Sequence, residues 1–106
     1  MGNTIIITKK EFEKILQSTD ELFIVDFFAE WCGPCRMLSQ VVDELNKTQS
    51  TKIYKFNVDS DRAFANQIWK VSSIPALIFF KNKKEIFRTE GFKTKEMLEA
   101  YIKNYQ

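Results

Sequence analysis

The sequence predicts an α/β domain built on a mixed sheet with helices on both faces. Three observations carry this expectation. Apolar runs of strand length alternate with amphipathic helical patterns, which implies parallel strands joined by right-handed crossovers. The late runs "ALIFF" and "EIFRT" flank the Lys-rich turn from Lys81 to Lys84 with no helix between them, which adds an antiparallel hairpin to the same sheet. Finally, 106 residues with 44% hydrophobic content and ten phenylalanines suffice for one compact core and are too few for two ordinary domains, so one domain over residues 1–106 is expected.

Element by element, Thr8 and Glu11 form a [ST]-x-x-[DE] pair ahead of Phe12, Ile15 and Leu16, the signature of a capping box opening a short amphipathic helix. "LFIVDFFA", Leu22 to Ala29, is apolar on both alternating faces, as a strand covered on each side must be, and Asp26 is its only charge. Pro34 suits a first helical turn and leads into Leu38, Val41, Val42 and Leu45 on one helix face. "KIYKFNVD" predicts a strand over Ile53 to Val58, after which Ser60 is placed to cap a helix carrying Ala63, Phe64, Ile68 and Trp69. After the hairpin, Thr94 is placed to cap a last helix with Met97, Leu98, Tyr101, Ile102 and Tyr105 on one side. The predicted order is β-α-β-α-β-α-β-β-α, a five-stranded sheet of three parallel strands plus the C-terminal antiparallel hairpin, flanked by four helices.

Composition narrows the function classes. Sixteen Lys and Arg against fourteen Asp and Glu leave a formal charge of +2, and the basic residues are dispersed rather than gathered in a stripe, so nucleic acid is not an expected partner. The longest apolar stretch, "IPALIFF" from Ile74 to Phe80, falls far short of the roughly 20 residues that span a bilayer, so no membrane association is expected. "MGNTII" lacks a cationic region followed by an apolar signal core, and Ile6 stands where a myristoylation signal needs Ser or Thr. A cytoplasmic monomer is the expectation.

The two cysteines, Cys32 and Cys35, lie together in "EWCGPCRM". A structural zinc site wants four Cys or His ligands, and a chain with no histidine and no third cysteine lacks them unless two chains pool their pairs; no metal is expected. A purely structural disulfide closing so short a loop removes only about 2 kcal/mol of unfolded-state entropy, a weak staple for a chain that can build a core. The third reading is a reversible dithiol. Between a buried strand and a helix start, Cys32 meets unpaired N–H groups and a positive dipole end, worth about 0.3–2 kcal/mol to a thiolate. At the upper end, thiolate at neutral pH rises from a few per cent to about half. Arg36 either adds to that stabilisation or points into solvent. Cys35, one helical turn on, is expected deeper, so a target's sulfur meets Cys32 first and Cys35 resolves the mixed disulfide.

"VDFFAEWCGPCRM" resembles the active-site segment of the thioredoxin family, and the order of elements, the "IP" before a late hairpin and Gly91 before the last helix are similar to that family across essentially the whole chain. Activation of the first thiol is a known property of the family and is implied by the resemblance as well as by the placement. A bare Cys-x-x-Cys is weak evidence, whereas Trp-Cys-Gly-Pro-Cys in this order is strong. The resemblance implies the thioredoxin fold and a general protein-disulfide reductase in cell redox homeostasis, acting on disulfide-containing target proteins. It implies recharging by a flavoprotein thioredoxin reductase drawing on NADPH; with no G-x-G-x-x-G signature, the chain is expected to bind no cofactor itself.

The resemblance also implies supporting roles. Asp26, on the pleat face of Ile24 and Phe28, is expected to have a raised pKa; the family's matching aspartate implies that it accepts the proton of Cys35 through water, whereas the residues alone equally allow a core carboxylate satisfied by neighbouring donors. Lys55, alone among apolar residues on its strand, reads either as the charge partner of Asp26 or as an edge-facing lysine. Ile74–Pro75 is trans by frequency, since about 5–6% of such bonds are cis, but the family implies cis, with the backbone of Ile74 free to pair with an extended target. Trp31, Gly33, Pro34, Gly91 and Phe92 are expected to complete a flat docking surface, although Trp31 reads alternatively as packing; Trp69 reads as core or partial surface. Against the family pattern, Phe28 replaces a tryptophan, Gln40 a helix-kinking proline, Ala76 a threonine, and Ser73 and Lys83 glycines. Gln40 puts the helix bend in question, and Lys83 the tight hairpin turn, because a non-glycine residue resists positive φ. The rival readings are an oxidase or isomerase of the same fold, which often carries histidine between the cysteines, and a non-catalytic module docking a partner through Trp31, Ile74 and Phe92.

Overall fold

A computed structural model describes residues 4–106. Within them α1 spans Lys9–Ser18, β1 Phe23–Phe28, α2 Gly33–Thr48, β2 Lys52–Asn57, β3 Ala76–Lys81, β4 Lys84–Glu90 and α3 Lys95–Tyr105. A 3₁₀ turn at Val58–Ser60 and a π-helical segment at Phe64–Ile68 lie between β2 and β3. The sheet order is β2-β1-β3-β4, with β1 parallel to β2 and antiparallel to β3, and β3 antiparallel to β4.

Among the described residues the sheet therefore has four strands rather than the expected five. The N-terminal segment reaches the sheet edge but forms only an isolated parallel bridge from Ile6 to Lys55, through Ile7 N–H to Lys55 O at 2.8 Å and Lys55 N–H to Ile5 O at 3.0 Å. Part of the predicted first strand falls on residues outside those described. The order of helices holds, but the third is not the regular α-helix expected. Its start is capped by Asp61, whose Oδ1 accepts from Phe64 N–H at 3.0 Å, while the expected cap Ser60 donates back to Asn57 O at 2.6 Å. Ile68 is exposed there, and Trp69 turns inward.

The local signals explain the other helix starts. Thr8 and Glu11 exchange both bonds of a capping box, Glu11 N–H to Thr8 Oγ1 at 3.1 Å and Thr8 N–H to Glu11 Oε1 at 2.8 Å. Thr94 accepts from Met97 N–H at 3.2 Å; on α3 it is Leu98 and Ile102 that are buried, and Met97 faces out. Helix α2 runs without interruption through Gln40.

The hairpin closes more tightly than Lys83 led us to expect. Asn82 and Lys83 form a two-residue loop with φ of 56° and 66°, the twist that matches right-handed strands. Asp20 holds it from outside, accepting from Asn82 N–H at 3.0 Å through its carbonyl and from Lys83 Nζ at 2.8 Å through its carboxylate. Gly91, at φ 84°, ends β4 in a conformation that side chains other than glycine rarely adopt.

Alternation along the central strand β1 divides the core. Phe23, Val25 and Phe27 join Phe12, Phe56, Phe64, Ile78 and Phe80 on the side covered by α1 and the π-helical segment. Ile24 faces Leu38, Val42, Leu45, Leu77, Phe79 and Leu98 beneath α2 and α3. Phe12 is the hub of the first side, with ring centroids 5.4–6.3 Å from Phe27, Phe56, Phe64, Trp69 and Phe80. Such a ring cannot be removed without leaving a void, so Phe12→Ala is expected to cost about 3–5 kcal/mol, read as a fall in the denaturant midpoint with little change in slope.

Candidate active site

The chain leaves the buried strand β1 at Ala29 and enters α2 at Cys32, which takes the N-cap position with Pro34 in the first turn. Cys32 Sγ accepts from Cys35 N–H at 3.2 Å, so a sulfur stands where a capping oxygen usually does, at the positive end of the helix. Cys32 and Cys35 form a disulfide with Cα atoms 5.2 Å apart. Both are buried in this state, Cys32 at 6% exposure and Cys35 at 2%, and they pack with Phe28, Ala29, Val58 and Ile74.

On β1, two residues before Phe28, Asp26 is fully buried, and neither carboxyl oxygen has a hydrogen-bond partner among the described residues. The alternative of a carboxylate satisfied by neighbouring donors therefore finds no support in the geometry. Burial pushes its pKa from 3.8 up to about 7, with the Lys55 charge working in the opposite direction. Lys55 stands directly opposite Asp26 in the parallel register of β1 and β2, yet among the described residues no ion pair joins them. Its ammonium instead donates to Ser39 Oγ at 2.6 Å and sits 4.2 Å from the centre of the Phe28 ring. A cavity of about 440 Å³ opens here, lined among others by Phe28, Cys35, Arg36, Ser39 and Lys55. Arg36 is exposed and makes no ion pair among the described residues.

On the other side of the disulfide, the Ile74–Pro75 bond is cis and Ile74 O lies 4.0 Å from Cys32 Sγ. The backbone N–H of Ile74 has no partner among the described residues, whereas Pro75 O accepts from Gly91 N–H at 2.8 Å and so ties the last loop to the site. Trp31 is 67% exposed, which removes the packing alternative, and Phe92 is 38% exposed. Gly33 and Pro34 are exposed as well, and a Cβ at Gly33 would meet nothing within 4 Å. Trp31 and Ile74 share the rim of a hollow of about 230 Å³ that also includes Val58 and Asp59.

Three residues of this region escaped the sequence reading in these roles. Asp59 fixes Trp31, its Oδ2 accepting from the indole Nε1 at 2.8 Å while Arg62 donates to Oδ1 at 3.0 Å. No short-range signal links residues 28 apart. Ser39 was in principle legible, since four residues after Cys35 on a helix is the same face. Phe28 was noted only as a departure from the family pattern, not as the ring beneath an ammonium.

Among the described residues no group of three or more His, Cys, Asp or Glu side chains is placed to hold a metal, and no helix is long and apolar enough to cross a membrane. The family model for thioredoxin matches residues 3–104. A thioredoxin of Chlamydia pneumoniae is 42% identical over 101 residues, covering 94% of this chain and 96% of the relative. Thioredoxin-2 of Saccharomyces cerevisiae is 38% identical over 95 residues, covering 89% and 90%. Two solved structures share the fold. A mutant thioredoxin from Halobacterium salinarum NRC-1 has a TM-score of 0.85 at 26% identity, covering 96% of this chain and 89% of the other. The thioredoxin of Malassezia sympodialis has 0.83 at 27%, covering 99% and 94%. With the cysteine pair seated at the start of α2, the chain belongs to the thioredoxin family and is a protein-disulfide oxidoreductase working through the reversible Cys32–Cys35 dithiol.

Proposed function

We propose that Cys32 is the attacking nucleophile, Cys35 the resolving thiol and Asp26 the proton acceptor in reduction of target-protein disulfides. The observation that carries this reading is the cysteine pair at the N-cap of α2, packed against the end of the strand that carries a buried carboxyl group without a hydrogen-bond partner among the described residues. In the reduced protein the Cys32 thiolate attacks one sulfur of a target disulfide; a mixed disulfide forms, and the other target sulfur leaves as a thiolate and takes up a proton. Cys35 then gives its proton to the Asp26 carboxylate, relayed by water, and its sulfur attacks that of Cys32. The Cys32–Cys35 bond forms, the mixed disulfide breaks, and the second target thiolate departs. Two electrons have passed to the target. Gly33 and Pro34 set the short bridge between the thiols.

Trp31, Ile74, Pro75, Gly91 and Phe92 form the docking surface in this reading. The unpaired backbone of Ile74 beside Cys32 supports strand-like pairing with an extended target segment, which favours many partners because main-chain bonds do not depend on side chains. Lys55 modulates Asp26, and Arg36 lends the site its positive rim. Electrons return from NADPH through a flavoprotein thioredoxin reductase, and the protein works as a cytoplasmic monomer.

Two outcomes test this. Cys35→Ser should accumulate mixed disulfides through Cys32 that dithiothreitol releases, while Cys32→Ser should form none and lose disulfide reduction by about a thousandfold or more; partner capture indifferent to either cysteine would instead identify a non-catalytic docking module. Asp26 adds a pH signature. A carboxyl that titrates near 7 when folded and 3.8 when unfolded binds more protons in the native state between those values, so its contribution to stability falls as pH rises through that window. Asp26→Ala should therefore stabilise the protein more at pH 8 than at pH 4, by on the order of 4 kcal/mol, measured by denaturant unfolding at each pH. In the native enzyme, resolution of the mixed disulfide should quicken as Asp26 ionises around pH 7.

A further inference from the structure

The Lys55 ammonium has two neighbours that hold it and one that it does not reach. It donates to Ser39 Oγ at 2.6 Å and lies over the Phe28 ring at 4.2 Å, while both oxygens of Asp26, its register partner on the adjacent strand, have no hydrogen-bond partner among the described residues. An ammonium and a carboxyl side by side in a buried region would ordinarily close into an ion pair, since each lowers the desolvation cost of the other. The groups around Asp26 leave few other influences. From β2 comes Lys55 and from β3 the apolar Leu77 in register, while the Cys35 sulfur, held in the disulfide, packs in one cluster with Phe28 two residues further along β1. Helix α3 contributes Leu98 and Ile102 to this side of the sheet. Arg36 and Glu30 line the same cavity as Lys55, both as exposed side chains.

We propose that Ser39 is a positioning residue of the reaction: by anchoring the Lys55 ammonium against the Phe28 ring, it keeps that charge from closing on Asp26 and so preserves Asp26 as a base. Ser39 is hydrogen-bonded to Lys55 rather than to either sulfur and exchanges no proton with the target. It acts through Lys55 alone, on a side chain whose flexible stem reaches a second partner as soon as the first is removed. The inference rests on the proton-accepting role assigned above to Asp26, and its test is separable from that role.

The test reads the Asp26 carboxyl itself, by carbon-13 NMR titration of the oxidised protein. In Ser39→Ala the midpoint should fall by about one unit or more as the freed ammonium pairs with the carboxylate. Ser39→Thr, which keeps the hydroxyl, should restore the original midpoint, and in a Lys55→Met background Ser39→Ala should cause no further change. Single-turnover resolution of a mixed disulfide should slow severalfold in Ser39→Ala and recover in Ser39→Thr. An unchanged midpoint in Ser39→Ala, or a shift that persists without the lysine, overturns the proposal whatever the role of Asp26. Unaltered resolution in Asp26→Ala would instead overturn the proton-acceptor reading, leaving the titration result to stand by itself.

Discussion

A buried carboxyl group without a hydrogen-bond donor among the described residues, in the middle of strand β1, is the constraint around which this protein is arranged. Strand β1 has neighbours on both edges and helices over both faces, so Asp26 is fully buried. A charge placed there is destabilising unless something answers it, and the lysine opposite it in register is turned toward Ser39 and Phe28. The consequence is a carboxyl whose pKa is raised by burial to about 7, on the pleat face that also carries Phe28 of the cysteine cluster. The aromatic cluster on the opposite side of the sheet supplies the stability that allows such a site to persist.

The division of labour between the two faces follows from the pleat. Phe23, Val25 and Phe27 point one way, Ile24, Asp26 and Phe28 the other. A slip of one residue in β1 would carry the carboxyl into the phenylalanine cluster and Phe27 toward the cysteines, exchanging the two functions wholesale. Register here therefore decides which face carries the buried carboxyl as well as how the core packs, and its specification comes from the density of rings around Phe12.

Much of this was legible in the sequence because it is written in short-range chemistry. The Thr8 and Glu11 capping box, Pro34 in the first turn of α2 and Thr94 before α3 each act within three or four residues, and each appears where the pattern placed it. The cysteine pair and the strand before it were equally plain. What escaped depends on contacts distant in sequence. The first strand shrank to a single bridge because three apolar residues look the same whether or not a partner edge runs alongside them. The turn at Asn82 and Lys83 reaches positive φ with the help of Asp20, more than sixty residues away, and that support overrides the local preference for glycine. At the site, the bond from Trp31 to Asp59 and the pairing of Lys55 with Ser39 join separate elements. Asp61 took the capping role from Ser60 because the intervening 3₁₀ turn shifted the helix start.

The position of β4 in the sheet has its own consequence. As the outermost strand on its side it presents a row of main-chain groups to any passing chain, the arrangement from which ordered aggregates grow. It is defended by Lys84, Glu85, Arg88 and Glu90 along its length, by an irregularity in its pairing opposite Phe79 and Phe80, and by Arg88, which reaches back to Trp69 O at 2.9 Å and to Glu85 at 2.6 Å. A protein with one exposed sheet edge is at risk of pairing with copies of itself, and the charged, irregular border of β4 guards against that.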